Sequence, residues 1–128
     1  MQQSKENDKR DVVGTAWIGV DLDGTLAKYD SWHGVEYIGA PIPSMVNRVK
    51  RWLKDGKRVK IFTARVCPQQ GEEIVALAVK AIEEFCLENF QQILEITCMK
   101  DWSTIEIWDD RCVSVEKNTG RSLTEGVQ

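Results

Sequence analysis

Ala16-Trp17-Ile18-Gly19-Val20-Asp21-Leu22-Asp23-Gly24-Thr25 is a short apolar run that ends abruptly in acid, glycine and hydroxyl. An unbroken apolar run of this length reads as a strand buried on both faces, which is the pattern of a parallel sheet. Asp-Gly then favours a turn, and a turn-rich stretch continues from Asp23 to Pro43. The same grammar recurs downstream. Val59-Lys60-Ile61-Phe62 closes in Thr63-Ala64-Arg65, Ile93 to Cys98 is a third strand, and Ile105-Glu106-Ile107-Trp108 runs into Asp109-Asp110. Val113 to Glu116 reads as a fifth strand on the edge.

Helices fill the gaps. Pro43 to Asp55 places Ile42, Met45, Val46, Val49, Trp52 and Leu53 on one side, with Pro43 suited to the first turn and Gly56 to the stop. Gly71 to Asn89 repeats Ile74, Leu77, Ala78, Ala81, Ile82 and Phe85 every three or four residues. Strands alternating with helices imply a parallel sheet covered on both faces by right-handed crossovers. The expected fold is a three-layer α/β/α sandwich with a mostly parallel sheet of about five strands.

One domain accounts for the 128 residues. Residues 1–11 read as a disordered lead-in, residues 12–118 as the domain, and residues 119–128 as a polar tail. A net charge of −3 gives no global pull toward nucleic acid or anionic membrane. The longest apolar run, Ile74 to Val79, is far short of the roughly 20 residues of a membrane span, and no stretch has the layout of a secretory signal. The expected setting is the cytoplasm. Cys67, Cys86, Cys98 and Cys112 contain no CxxC pair, and one histidine supplies a zinc site poorly. They read as reduced core thiols.

In such a sheet, functional groups gather where the strands end. Those ends carry Asp21 and Asp23, then Thr63, then Lys100, then Asp109 and Asp110. Clustered carboxylates repel one another unless a cation sits among them, and hard oxygen donors in that number suit Mg2+. A hydroxyl and an ammonium beside the metal suit phosphoryl oxygens.

Asp21-Leu22-Asp23-Gly24-Thr25, Phe62-Thr63, Lys100 and Ile107-Trp108-Asp109-Asp110 resemble, in order, the four motifs of the haloacid dehalogenase-like hydrolases. The resemblance spans Trp17 to Asp110. Lys100 and Asp109 lie only nine residues apart, closer than is usual in the family and similar to its small bacterial and phage members. The resemblance implies a phosphatase in which Asp21 attacks phosphorus and Asp23 serves as acid and base. Asp21, the Asp23 carbonyl and Asp109 would hold Mg2+, with Asp110 a direct or outer ligand. Thr63 and Lys100 would hold the phosphoryl oxygens, and Gly24, with Thr25 beside it, would permit close backbone approach. An acid at the Asp23 position favours phosphate-ester hydrolysis over the dehalogenase and ATPase branches.

Several residues carry two readings. Arg65 and Arg111 reach either substrate phosphate or a structural carboxylate. His33 touches substrate or is an exposed surface histidine. Arg48, Lys50, Arg51, Lys54, Lys57, Arg58 and Lys60 either track a phosphate backbone or form a solvated face. Trp32 and Trp102, in loops, are candidates for stacking on a base. The gaps between Asp23 and Thr63 and between Thr63 and Lys100, 39 and 36 residues, are too short for the ~50 residues of a separate cap domain. A flap bearing Trp32, His33 and Tyr37 is the only expected cover. An open site suits a bulky phosphorylated substrate, a polynucleotide end among them, whereas a lid from a neighbouring subunit would favour small metabolites. A phosphate-binding module without turnover is the rival of another class.

Overall fold

A computed structural model describes residues 15–124. The expected lead-in, residues 1–11, and the last four residues of the tail lie outside that range. Five-residue strands β1 (Trp17–Asp21) and β2 (Arg58–Phe62) flank helix α1 (Pro43–Lys54). Two 3-10 turns (Ala64–Val66 and Pro68–Gln70), helix α2 (Glu72–Phe90), β3 (Glu95–Thr97) and β4 (Thr104–Trp108) follow. The four strands form one sheet in the order β3-β2-β1-β4, every pair parallel. All four strand ends therefore face one edge. The protein is an α/β fold.

Register explains the core. Ile18 pairs with Val59, and Val20 lies between Ile61 and Trp108. Alternation along each strand puts these side chains on one face, where they join Met45, Val46 and Val49 of α1 and Ile82, Phe85, Cys86 and Phe90 of α2 in one buried cluster. Trp52 of α1 meets Trp108 edge-on at 5.2 Å, and the Arg48 guanidinium lies 4.9 Å over the same indole. Arg48 thus spends its charge on packing. Pro43 occupies the first turn of α1, Arg51 and Lys54 sit at its negative end, and Gly56 follows with φ 81°. In α2 the buried stripe begins only at Ala78; Ile74 and Leu77, expected in the core, are more than a third exposed.

Three expectations are corrected. The steps β1 to β2 and β2 to β3 run in the same direction across the sheet, so right-handed crossovers place both helices on one face. Among the described residues no helix covers the other face, and the expected third layer is instead the return segment 98–103. There the fully buried Trp17 donates its indole N–H to Asp101 Oδ1 at 2.9 Å. The Lys60 ammonium lies 4.4 Å over that indole and 3.8 Å from Asp101 Oδ2. Second, among the described residues the sheet has four strands, and the expected edge strand Val113 to Glu116 is not one of them. Val115 pairs only with Ser122, in a hairpin closed by Leu123 N–H to Ser114 O and Glu116 N–H to Arg121 O. That hairpin also carries the folded chain past residue 118 and into the expected tail. Third, of the four cysteines only Cys86 is buried; Cys67 and Cys98 are half-buried and Cys112 is exposed. No described helix is long and apolar enough to cross a membrane.

Candidate active site

After β1 the chain makes one tight turn. Thr25, Leu26 and Ala27 all donate backbone N–H to Leu22 O, and Gly24 N–H reaches Ala27 O at 2.8 Å. The turn aims Asp21 and Thr25 at the strand edge beside the end of β4. Carboxylate oxygens of Asp21, Asp109 and Asp110 all lie within 4.8 Å of one another. The Thr25 hydroxyl sits between them, 3.4 Å from Asp21 Oδ2 and 3.2 Å from Asp110 Oδ1, and accepts the Asp110 N–H at 3.0 Å. Asp109 Oδ1 accepts the Arg111 N–H at 2.8 Å.

Gly24 is required here twice over. Its φ is 92°, and a Cβ would stand 2.7 Å from Asp110 Oδ2. Gly24→Ala should therefore displace Asp110 and cost about 1–3 kcal/mol in backbone strain. Urea melts would register the cost. A variant as stable as the wild type would contradict the geometry.

Crowding sets the acidity of Asp21. Burial, then the Asp109 charge, then the hydrogen bond and charge of Asp110 push its carboxyl from 3.8 up to about 7, while the Thr25 hydroxyl pulls it back. With the folded-state value raised, the folded chain binds more protons than the unfolded chain between those two pH values, so this group's contribution to stability falls as pH rises through that window. Asp21→Asn removes the effect. Thermal melts in chelator should show the variant gaining on the wild type from about pH 4 to 7, and a constant difference across that range would contradict the assignment. The same three carboxylates, largest after burial, also push up the Cys112 thiol.

Asp23 points elsewhere. Its two oxygens accept from Arg65 Nε and Nη2, both at 2.8 Å. Arg65 is 5% exposed. It also donates through Nη1 to Val35 O at 2.9 Å and lies 4.8 Å over the Trp32 ring. Val35 and Trp32 belong to the flap, a loop closed at its base by Lys28 N–H to Ala40 O and Ile42 N–H to Leu26 O. Gly39 lets that base close, since a Cβ there would collide with Lys28 O. Arg65 is thus a strap from the flap to Asp23. Of its two sequence readings, the carboxylate partner is the one present.

Thr63 is buried at the end of β2. Its hydroxyl oxygen accepts the Arg65 N–H at 3.2 Å and its own N–H donates to Thr97 O at 2.9 Å, so it caps the 3-10 turn with the hydroxyl proton still available. Asp21, Asp23, Thr63, Arg65, Asp109 and Arg111 line one cavity of about 520 Å³, with Tyr29 and Trp32 at its rim. No family model, curated protein or solved structure matches this chain. The site stands on its own geometry.

Two expected members are not brought together with Asp21. Lys100 is exposed and lines a separate cavity with Trp102, Ile105 and Ile107. The cause is the missing helix before β4. Thr97 turns the chain by accepting the Met99 N–H at 3.1 Å, and Asp101 is then held to Trp17 and Lys60. His33 is exposed and lines an adjoining cavity of about 590 Å³ that shares Asp23, Tyr29 and Arg65 with the cavity holding Asp21. Its ring is 3.3 Å from Asp30 Oδ1, 3.1 Å from Ser31 Oγ and stacked at a tilt on Tyr37. The backbone of Ser31 first, then His33, hold the Asp30 carboxyl below its ordinary range. Sequence reasoning allowed Arg65 a structural carboxylate as partner but did not identify Asp23 as that carboxylate, nor Val35 and Trp32 as the other contacts.

Proposed function

We propose that the chain is a magnesium-dependent phosphohydrolase of the haloacid dehalogenase-like type, cleaving a phosphate monoester through an aspartyl-phosphate on Asp21. One observation carries the reading: three carboxylates converge within 4.8 Å at adjacent strand ends, on a cavity that also holds Thr63 and Arg111. Their donors fit the ion. Hard oxygens suit Mg2+, and with burial first, then Asp109 and Asp110, pushing the Asp21 carboxyl up to about 7, a cation bound there would offset the charge the three carboxylates bring together. Asp21, Asp109 and Asp110 would hold it, and when bound it neutralises charge at the phosphate and the carboxylates.

The remaining chemistry belongs to side chains. Asp21 attacks phosphorus in line, and the ester oxygen leaves. Thr63 donates its hydroxyl proton to a phosphoryl oxygen, and Arg111 takes the cationic role that the separate position of Lys100 leaves open. Asp23 protonates the leaving oxygen, then takes a proton from the water that hydrolyses the aspartyl-phosphate. A carboxylate gripped at both oxygens by Arg65 cannot donate a proton. Substrate entry must therefore loosen the strap, freeing Arg65 toward the phosphate and Asp23 toward the leaving group. No folded domain is inserted among the described residues between β1 and β4, so a bulky ester, such as a polynucleotide end, has access.

Phosphate release from sugar phosphates, nucleotides and 3′- or 5′-phosphorylated oligonucleotides should require added magnesium and stop on chelation. Tight binding of phosphate esters without release would favour the non-catalytic module. Full turnover after exhaustive chelation would refute the metal's part in the reading.

A further inference from the structure

Two thiols lie side by side on the wall of the cavity, outside the chemistry assigned above. Cys67 ends the 3-10 turn that follows Thr63, with its N–H on Ala64 O at 3.1 Å. Cys98 directly follows Thr97, the last residue of β3. The register pairs Phe62 with Thr97, and the Thr63 N–H to Thr97 O bond extends the ladder by one more residue. That pairing brings the two chain segments leaving β2 and β3 together. The Cys67 and Cys98 side chains both line the cavity that contains Asp21, and each thiol lies within electrostatic reach of the other. Both are half-buried and neither is in a disulfide.

We propose that Cys67 and Cys98 form a redox modification site, a thiol pair that a peroxide converts into a disulfide across the ends of β2 and β3. Cys67 is taken as the attacking sulfur, and exchanging the two roles gives the same disulfide with the same balance. Attack by Cys67 forms an S–O bond and breaks the peroxide O–O bond, giving a sulfenic acid and one water. The Cys98 sulfur then attacks the Cys67 sulfur. The S–S bond forms, the S–O bond breaks, and hydroxide leaves with the Cys98 proton as a second water. Two thiols lose two electrons, and one peroxide becomes two waters. The resulting bond would tie the Thr63 loop to the end of β3. The inference does not depend on the reaction assigned to Asp21.

The test treats the full chain with one equivalent of hydrogen peroxide, alkylates the remaining thiols and maps peptides without reduction. Titratable thiols in the denatured protein should fall from four to two. The linked peptides should join Cys67 to Cys98, and dithiothreitol should restore both thiols. Cys112→Ser should still form the bond, whereas Cys67→Ser and Cys98→Ser should form no intramolecular disulfide. Mapping of the wild-type chain decides even where a variant folds poorly. A bond through Cys112 or Cys86, bonds only between molecules, or no loss of thiols would overturn the proposal.

Discussion

Asp21→Asn protein should fold, retain the cavity and lose phosphoester turnover by about 10⁴-fold or more, the scale seen when a nucleophile is removed from a concerted set. The amide matches the carboxylate in shape but offers no nucleophilic oxygen to phosphorus. It also removes one of the three mutually repelling charges at the strand edge, so the variant should not be less stable than the wild type at neutral pH in chelator. Lost turnover together with a native melting profile separates chemistry from folding. Phosphate release at near wild-type rates would remove Asp21 from the mechanism.

Asp23 should show two effects, because it has two jobs. Asp23→Asn and Asp23→Ala should both slow turnover by about 10²–10⁴-fold, the usual worth of one acid and base. Both should also unsettle the fold, since asparagine lacks the charge and the second acceptor that Arg65 meets and alanine has no acceptor at all. Arg65 is 5% exposed and Asp23 22% exposed by side chain, so deletion leaves a desolvated guanidinium with only Val35 O and the Trp32 face. Losing one partner of a buried pair costs 3–5 kcal/mol; partial exposure of Asp23 screens the pair and brings the expected loss to about 2–3 kcal/mol. Urea melts of the two variants and of Arg65→Met measure it. Alanine at position 23 with unchanged stability would mean that the strap holds nothing.

The elements were legible where one physical signal dominated. β1 is an apolar run that ends in acid, β2 and β4 alternate apolar with polar residues before polar strand ends, and Pro43 and Gly56 bracket α1. Sheet coverage was not legible in that way. Alternation of strands and helices says that crossovers exist, but the side on which each one packs follows from strand order, and β3-β2-β1-β4 sends both helices to one face. Val113 to Glu116 has the composition of a strand yet pairs within its own hairpin. The carboxylates were readable because each ends a strand that the sheet then brings to one edge. Lys100 was not, because its position depends on a return segment held by Asp101, Trp17 and Lys60, whose side chains meet only after folding. The carboxylate that Arg65 was expected to reach could not be identified for the same reason, its partners Asp23 and Val35 lying 42 and 30 residues away.

The central claim is that Asp21 becomes phosphorylated. Wild-type protein mixed with magnesium and a turned-over phosphate monoester, quenched in acid within the first turnover and mapped by mass spectrometry, tests it most directly. The acid-stable, hydroxylamine-labile phosphoryl group of an acyl phosphate should appear on the peptide containing Asp21, and it should be absent in chelator and in Asp21→Asn. Efficient turnover with that peptide unmodified, or with the phosphoryl group on another residue, would contradict the account.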